Sequence, residues 1–203
     1  MPDRASDGRC PWAGDDPLYV EYHDTEWGRP VKDDRRLFEK LCLESFQAGL
    51  SWLTILRKRE NFRNAFDHFD PALVKNYGED KIRALLKNEG IIRHRGKIEA
   101  TIFNAALYSQ IQKDHGSFAQ FIWQFEPREA ERPSNYDWKT LKAFTQIESS
   151  ARLAKALKSY GWKFVGPVNA YAFMQSMGLV NDHVSACPCR QHCEGARQNF
   201  KRP

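Results

Sequence analysis

The sequence has no apolar run long enough to span a bilayer, and its first residues, MPDRASDGRC, contain no hydrophobic signal core. We therefore expect a soluble, cytoplasmic protein without a membrane partner. The sequence also lacks a clear stretch of alternating polar and apolar residues, the pattern of a half-buried β-strand, and it has no internal repeat or low-complexity segment. Its apolar residues recur at intervals of three and four instead, which predicts an all-α fold.

The composition is that of a globular protein: 203 residues, of which 41% are hydrophobic and 13% aromatic. This length allows one domain with a substantial core. The formal net charge of +5 permits a polyanionic partner but does not require one. The five cysteines are an odd number in a chain expected to be cytoplasmic, so metal binding explains clustered cysteine and histidine better than disulfides do.

One acidic residue lies at a position where a carboxylate is costly. Leu37, Leu41, Glu44 and Ala48 share one face of a predicted helix, and the other three residues are apolar. A carboxylate that points inward needs a partner or becomes neutral. Glu44 is therefore either a binding-site residue or a structural acid that caps a backbone or pairs with a buried arginine.

The end of the predicted helix brings a large aromatic residue close to Glu44. Gly49 is suited to end this helix, Ser51 to cap the next one and Trp52 to begin it. An inward acid beside a large ring at a sharp break predicts a pocket for a flat polar ligand.

Cysteine and histidine occur near both ends of the chain. Cys10 and His23 lie in an aromatic-rich segment, and His183 and Cys187 are one helical turn apart. Two cysteines and two histidines form a closed tetrahedral set for Zn²⁺, which leaves no position for a catalytic water. Nearby residues compete for the same role: Cys189, His192 and Cys193. The alternative is that the C-terminal cysteines are free thiols.

The segment GIIRHRGK, residues 90–97, joins two predicted amphipathic helices. Glycine allows close backbone approach to a phosphate, and a helix N-terminus attracts anions. A helix-hairpin-helix of this kind would contact a nucleic-acid backbone without reading its sequence, whereas an ordinary helical turn with solvated charges is the other interpretation. The candidate DNA-binding residues are Gly90, Arg93, Arg95, Gly96 and Lys97.

Taken together, several stretches closely resemble the 3-methyladenine DNA glycosylase I family of the helix-hairpin-helix superfamily. The matching segments run from Cys10 to about Cys187. They are CPWAGDDPLYVEYHDTEWGRP, LFEKLCLESFQAGLSWLTILRKRENFRNAF, GIIRHRGKI, KFVGP and FMQSMGLVNDH.

The resemblance implies an all-α base-excision repair enzyme that flips 3-methyladenine out of alkylated double-stranded DNA and releases it as the free base. It implies that one structural zinc ion is held through Cys10, His23, His183 and Cys187. Nothing in the sequence indicates an obligate dimer, so we expect a monomer. It places Glu44 at the base pocket. Because a carboxylate there could position water or stabilise developing positive charge on the sugar, Glu44 is also the candidate catalytic residue. The other residues that it implies at the base pocket are Tyr22, Trp52, Tyr19, Trp12 and Trp27.

The chain departs from the family pattern at two points. Residues 167–171 read PVNAY where the family commonly has a run like Thr-Ile-Cys-Tyr, and Phe46 stands where a smaller or polar residue is frequent. These departures affect the detailed shape of the pocket and the rate more than the class of reaction. The alternatives are a zinc-stabilised DNA-binding module without activity and a zinc hydrolase, although four protein ligands argue against the hydrolase.

For domain organisation we expect a single glycosylase unit over residues 10–195. Its central helix-hairpin-helix lobe would cover about 36–125, and a zinc lobe would combine about 10–35 with 137–190. Residues 1–9 and 196–203 are expected to be mobile tails.

Overall fold

The computed structural model describes residues 8–203; residues 1–7 of the expected N-terminal tail lie outside the described residues. Within 8–203 the secondary structure is helical and contains no strand, which confirms the predicted all-α fold. The α-helices of this range are α1 Pro17–Thr25, α2 Asp34–Gln47, α3 Trp52–Arg57, α4 Arg59–Ala65, α5 Pro71–Val74, α6 Glu79–Lys87, α7 Arg95–His115, α8 Phe118–Trp123, α9 Trp138–Ala143, α10 Glu148–Ser159, α11 Pro167–Ser176 and α12 Pro188–Asn199. Short 3-10 helices occupy Pro11–Ala13, Asp67–Phe69 and Glu129–Glu131.

Helix α2 forms the centre of the molecule. Every residue from Leu37 to Phe46 is buried, so the helix is covered on all faces rather than on the single apolar face expected from spacing. It packs against α3, α7, α8 and α11. A central helix with polar residues in its sequence must therefore satisfy buried charges internally.

Two adjacent aspartates fix the start of α2. Asp33 caps α2 by accepting a hydrogen bond from the Arg36 amide at 2.8 Å. Asp34 instead reaches the N-terminus of α8, where it accepts from the amides of Phe118 at 3.0 Å and Ala119 at 2.8 Å. These bonds join α2 to α8 at their N-terminal ends.

Polar contacts accompany two of the helix boundaries. Helix α3 ends and α4 begins at Lys58, whose ammonium donates to the Glu89 carbonyl at 2.7 Å. Helix α10 begins after Ile147, whose amide donates to the Ser150 hydroxyl at 3.0 Å.

The segment 196–203, expected to be mobile, is held against the core. The buried Arg197 guanidinium donates to Glu126 at 2.6 Å, and Arg202 donates to the same carboxylate at 2.9 Å. The Phe200 ring lies 4.5 Å from that of Trp123. These contacts extend beyond α12 to Arg202, while residues 201–203 are themselves exposed.

Across the described range, no helix has the length and apolar character that a membrane crossing demands.

Candidate functional site

A cavity of about 290 Å³ opens between α1, α2, α3, α9 and the region around the end of α11. We call it the aromatic pocket. The six residues that the resemblance implied for a pocket all line it: Trp12, Tyr19, Tyr22, Trp27, Glu44 and Trp52. The structure therefore brings these residues together.

The break between α2 and α3 brings Trp52 to Glu44. Gly49 has φ +85°, a left-handed conformation that favours glycine, directly after the end of α2. Ser51 caps α3 by accepting from the Thr54 amide at 3.2 Å, and Trp52 is the first residue of that helix. Both boundaries agree with those expected from the sequence.

The Glu44 carboxylate is only 2% exposed, and its two oxygens have different surroundings. Oε1 lies 2.7 Å from the Lys40 ammonium, one turn earlier in α2. Oε2 is buried without a hydrogen-bond partner among the described residues. Because an unsatisfied buried oxygen is costly, Oε2 is an acceptor suited to a ligand donor.

The aromatic residues form a connected cage around this carboxylate. The Trp12 ring lies 5.0 Å from Tyr19 and 4.9 Å from Trp27, and the Tyr22 ring lies 5.4 Å from Trp52. Burial is the main cause that raises the pKa of Tyr19 to about 12 and that of Tyr22 well above its ordinary value, with the Glu44 charge adding to it. Both phenols are therefore neutral hydrogen-bond donors near pH 7.

Sequence reasoning missed Lys40. Its ammonium is 3.2 Å from the Tyr22 hydroxyl and 3.0 Å from the centroid of the Trp52 ring. Burial lowers the pKa of Lys40 to about 8, although the attraction of Glu44 opposes this change. The signal was available, because an acid and a lysine four residues apart on one helix face can pair.

Other polar residues of the pocket were also missed. Asp182 precedes His183 and accepts from the Tyr171 hydroxyl at 2.5 Å and from Gln175 at 2.9 Å. Burial raises the pKa of Asp182, and these hydrogen bonds oppose the shift. Gln47, at the end of α2, lines the cavity as well. The motif that contains Asp182 was singled out only for its histidine.

A second groove of about 460 Å³ continues from the aromatic pocket and shares Glu44 and Gln47 with it. Three large apolar side chains on this groove are exposed: Leu50, Phe164 and Val168. Exposed apolar groups beside a cavity are typical of a contact surface.

A cluster of buried cysteines and histidines lies behind the pocket. Ligand atoms of His23, His183, Cys187 and Cys189 all lie within 4.8 Å of one another. Trp27 connects this cluster to the pocket, because its ring lies 4.7 Å from that of His183. The cluster joins α1 to the segment around the start of α12.

Both histidines of the cluster are oriented by a side chain on their Nδ1 atom. His23 Nδ1 donates to Asp24 at 2.7 Å, and His183 Nδ1 lies 3.0 Å from the amide oxygen of Asn181. His23 Nε2 faces the Cys187 sulfur at 3.6 Å, and His183 Nε2 is buried without a partner among the described residues. This arrangement is typical of metal-ligating histidines.

Cys10 and Cys189 both lie beside Cys187, so the structure brings five candidate ligands together. The Cys10 sulfur accepts from the Val184 amide at 3.4 Å. Its thiol also donates to Cys187, which is the main cause that lowers the pKa of Cys187 and favours the thiolate. Cys189, an alternative ligand in the sequence, takes the place of Cys10 in the group of four residues whose ligand atoms lie within 4.8 Å of one another. Cys193 lies near Trp27.

The segment 88–94 connects α6 to α7. Arg93 and Arg95 are exposed, and Arg95 pairs with Glu79 at 2.9 Å and with Glu99 at 3.2 Å. A Cβ at Gly90 would lie 2.9 Å from Asn61, so glycine is required there by close packing.

Lys97 does not take the role that we expected. Its ammonium is buried and donates to the carbonyls of Phe46 at 2.9 Å and Ala48 at 2.6 Å, at the end of α2. A cation at this position stabilises the helix C-terminus. The expectation that its charge contacts DNA is therefore corrected: Lys97 stabilises the helix that carries Glu44.

An all-helical fold in which the buried Glu44 carboxylate lies in a cage of aromatic rings is suited to hold a flat ring, preferably a positively charged one. Aromatic faces attract cations, and the carboxylate supplies the opposite charge. Comparison with known proteins identifies the family.

The model of the family described as "Methyladenine glycosylase" matches residues 12–191. A DNA-3-methyladenine glycosylase of Haemophilus influenzae is 48% identical over 90% of this chain and 97% of its own length, and DNA-3-methyladenine glycosylase 1 of Escherichia coli is 48% identical over 89% and 96%. A crystal structure of a 3-methyladenine DNA glycosylase I superposes with a TM-score of 0.83 at 49% identity, covering 89% of this chain and 98% of that one. A variant of such an enzyme in complex with 3-methyladenine superposes with a TM-score of 0.82 at 37% identity, covering 89% and 96%.

The chain therefore belongs to the methyladenine glycosylase family.

Proposed function

We infer that this chain is a base-excision repair glycosylase that hydrolytically releases 3-methyladenine from alkylated double-stranded DNA. Membership of the family supports the reaction class. The observation that carries the inference is the buried Glu44 carboxylate, whose Oε2 has no partner in the described range, inside the aromatic pocket.

The chemistry suits these residues. Methylation at N3 makes the adenine cationic and a good leaving group, so the enzyme needs no strong general acid. It must extract the base from the stack, which costs a few kcal/mol. Stacking on Tyr22 and Trp52 would recover about 1–3 kcal/mol per base, and aromatic faces favour a cation over a neutral ring.

Glu44 is the principal selectivity group. Its Oε2 accepts hydrogen bonds from the edge of the base, and its charge favours the methylated base over normal adenine. We assign it as the catalytic residue as well, because a carboxylate here stabilises positive charge that develops on the sugar or positions the attacking water.

The test of this function is chromatography of the bases that the protein releases from DNA treated with a methylating agent. We expect 3-methyladenine among the products and no release from untreated DNA. Binding to DNA without release of any base would instead favour a zinc-stabilised DNA-binding module.

We propose that the cysteine–histidine cluster holds one structural Zn²⁺. The unpartnered Nε2 of His183 and the Asp24-bound ring of His23 fit this ion. Cys10, His23, His183 and Cys187 are the proposed ligands, and Cys189 is the alternative to Cys10. A closed set of four protein ligands would join α1 to the C-terminal region and leave the chemistry to the pocket.

The remaining proposals concern organisation. The unit 10–195 would divide into a helix-hairpin-helix lobe at about 36–125 and a zinc lobe formed by 10–35 with 137–190. A monomer acting in the cytoplasm suits a DNA repair enzyme of this family. The exposed apolar residues of the second groove would contact the DNA around the flipped base.

We propose that the hairpin contacts the phosphate backbone through Arg93, Arg95 and the backbone around Gly90 and Gly96. Removing Arg93 as Arg93→Gln should reduce the slope of log affinity for duplex DNA against log salt by about one, because one phosphate contact is lost. Titration of a labelled duplex at several salt concentrations measures this slope.

Lys97→Met is the matched control for Arg93→Gln. It should leave the salt slope unchanged while lowering the free energy of unfolding by about 2–3 kcal/mol, since hydrogen bonds from a charged group to α2 are lost. A salt slope that is flat in the unchanged protein would contradict the proposed role of the hairpin.

A further inference from the structure

The Lys40 ammonium contacts the same two groups that would recognise a cationic base, the Glu44 carboxylate and the Trp52 ring. It pairs with Glu44 Oε1 at 2.7 Å and lies 3.0 Å from the Trp52 ring centroid, about the height of a stacked ring. Lys40 also lines the aromatic pocket. A protonated lysine and a cationic purine would therefore need the same counter-charge.

The charges around Lys40 explain why it is tied to Glu44. On its other side Lys40 faces Tyr22 of α1 and the pair formed by Glu26, just after α1, and Arg59 of α4, whose atoms lie 2.7 Å apart. On its own helix, Glu39 is paired with Arg63 at 2.8 Å. These two acids are already neutralised by arginines, whereas Asp182, a buried acid that also lines the aromatic pocket, accepts from Tyr171 and Gln175. Among the described residues, Lys40 is the ion-pair partner of Glu44.

We propose that the Lys40 ammonium occupies the place that the cationic base later takes. It neutralises Glu44 before the base enters, is displaced by the base, and pairs with Glu44 again after cleavage. This proposal rests on the proposed function of the pocket. It makes Lys40 a specificity-determining residue rather than a catalytic one.

Charge balance gives the reason for the return. When the bond between the sugar and N9 breaks, its electron pair stays with the base, which becomes neutral. Water adds hydroxide to the sugar carbon and releases one proton. The neutral base no longer compensates Glu44, so Lys40 takes up a proton, pairs with the carboxylate again and favours release of the product.

The pH dependence of binding follows from the repulsion between the ligand and protonated Lys40. Because a bound cation favours the neutral amine of Lys40, the affinity for the cation rises with pH as Lys40 loses its proton. The affinity becomes constant once the pH is well above the Lys40 pKa of about 8. At pH 7 about one molecule in ten would hold a neutral Lys40. If only this form binds, the apparent affinity is about tenfold weaker than its limit.

Two probes that differ by one methyl group separate charge from shape. The 3,9-dimethyladeninium ion is permanently cationic, and free 3-methyladenine is neutral above pH 7. Calorimetric or fluorescence titration should show affinity for the cation rising about tenfold between pH 7 and pH 9, with at most a twofold change for the neutral base.

Lys40→Met should remove this pH dependence and bind the cation about tenfold more tightly than the unchanged protein at pH 7. Lys142→Met is the matched control, because Lys142 borders the same cavity but is exposed, and this variant should keep the pH profile. Should Lys40→Met fail to fold, the pH profile of the unchanged protein still tests the proposal.

Binding of the cation with a flat pH profile would overturn the role of Lys40 and leave the proposed function intact. Weaker binding of the cation to Lys40→Met would also overturn it, because Lys40 would then position Glu44 rather than compete with the ligand. Failure of the unchanged protein to bind either probe at any pH would contradict the proposed function itself.

Discussion

Replacing Glu44 with glutamine is expected to slow the release of 3-methyladenine from methylated DNA by about 10²–10³-fold, equivalent to about 2.7–4 kcal/mol. The variant keeps the shape of the side chain but loses the charge that holds a cationic base. It also leaves the Lys40 ammonium without its counter-ion in the pocket. Because the Glu44 charge opposes the lowering of the Lys40 pKa by burial, that pKa falls further in the variant and the neutral amine is favoured, so the expected loss reflects the missing carboxylate charge itself.

Single-turnover release of the base, measured by chromatography, checks this expectation alongside the affinity for free 3-methyladenine. Glu39→Gln is the matched control, since Glu39 is another buried acid of α2 but pairs with Arg63 and does not line the aromatic pocket. We expect its rate to stay within about threefold. Unchanged release by the Glu44 variant would exclude this carboxylate from the site.

Removal of the proposed metal should have the largest effect on stability. Structural zinc contributes directly to folding, so chelation or Cys187→Ser should lower the free energy of unfolding by at least about 4 kcal/mol. For a chain of this size that corresponds to a fall in melting temperature of roughly 8–16 °C. Thermal unfolding and metal analysis of the purified protein measure both quantities.

Cys42→Ser is the control for this experiment, because Cys42 is a buried thiol of α2 that does not belong to the cysteine–histidine cluster. It should retain about one zinc ion per chain. Comparing the zinc content of Cys10→Ser and Cys189→Ser identifies the fourth ligand. A metal-free protein that stays folded but loses turnover would make the ion catalytic and contradict the structural assignment.

The sequence predicts well what depends on local spacing. The inward position of Glu44, the break at Gly49, the cap at Ser51 and the start of α3 at Trp52 all follow from residues within one or two helical turns. Their agreement with the structure reflects the strong coupling of helix geometry to spacing.

Contacts between distant segments were harder to predict. Lys97 lies 51 residues after Phe46 in sequence, yet its ammonium binds that carbonyl, so its charge is inside rather than at the surface. The choice between Cys10 and Cys189 depends on how α12 begins, which spacing alone does not determine. Lys40 was missed for a different reason: the apolar pattern of α2 was assumed to leave one face in water.

The contact between the segment after α1 and the end of α11 has a consequence for the order in which the protein acquires its activity. The Gly28 amide donates to the Gln175 carbonyl at 3.1 Å, and the Val31 amide to that of Met177 at 3.2 Å. One wall of the pocket is therefore translated long before the segment that supports it. A nascent polypeptide cannot complete the pocket until the segment around Met177 has left the ribosome, so shorter nascent chains are unable to excise bases.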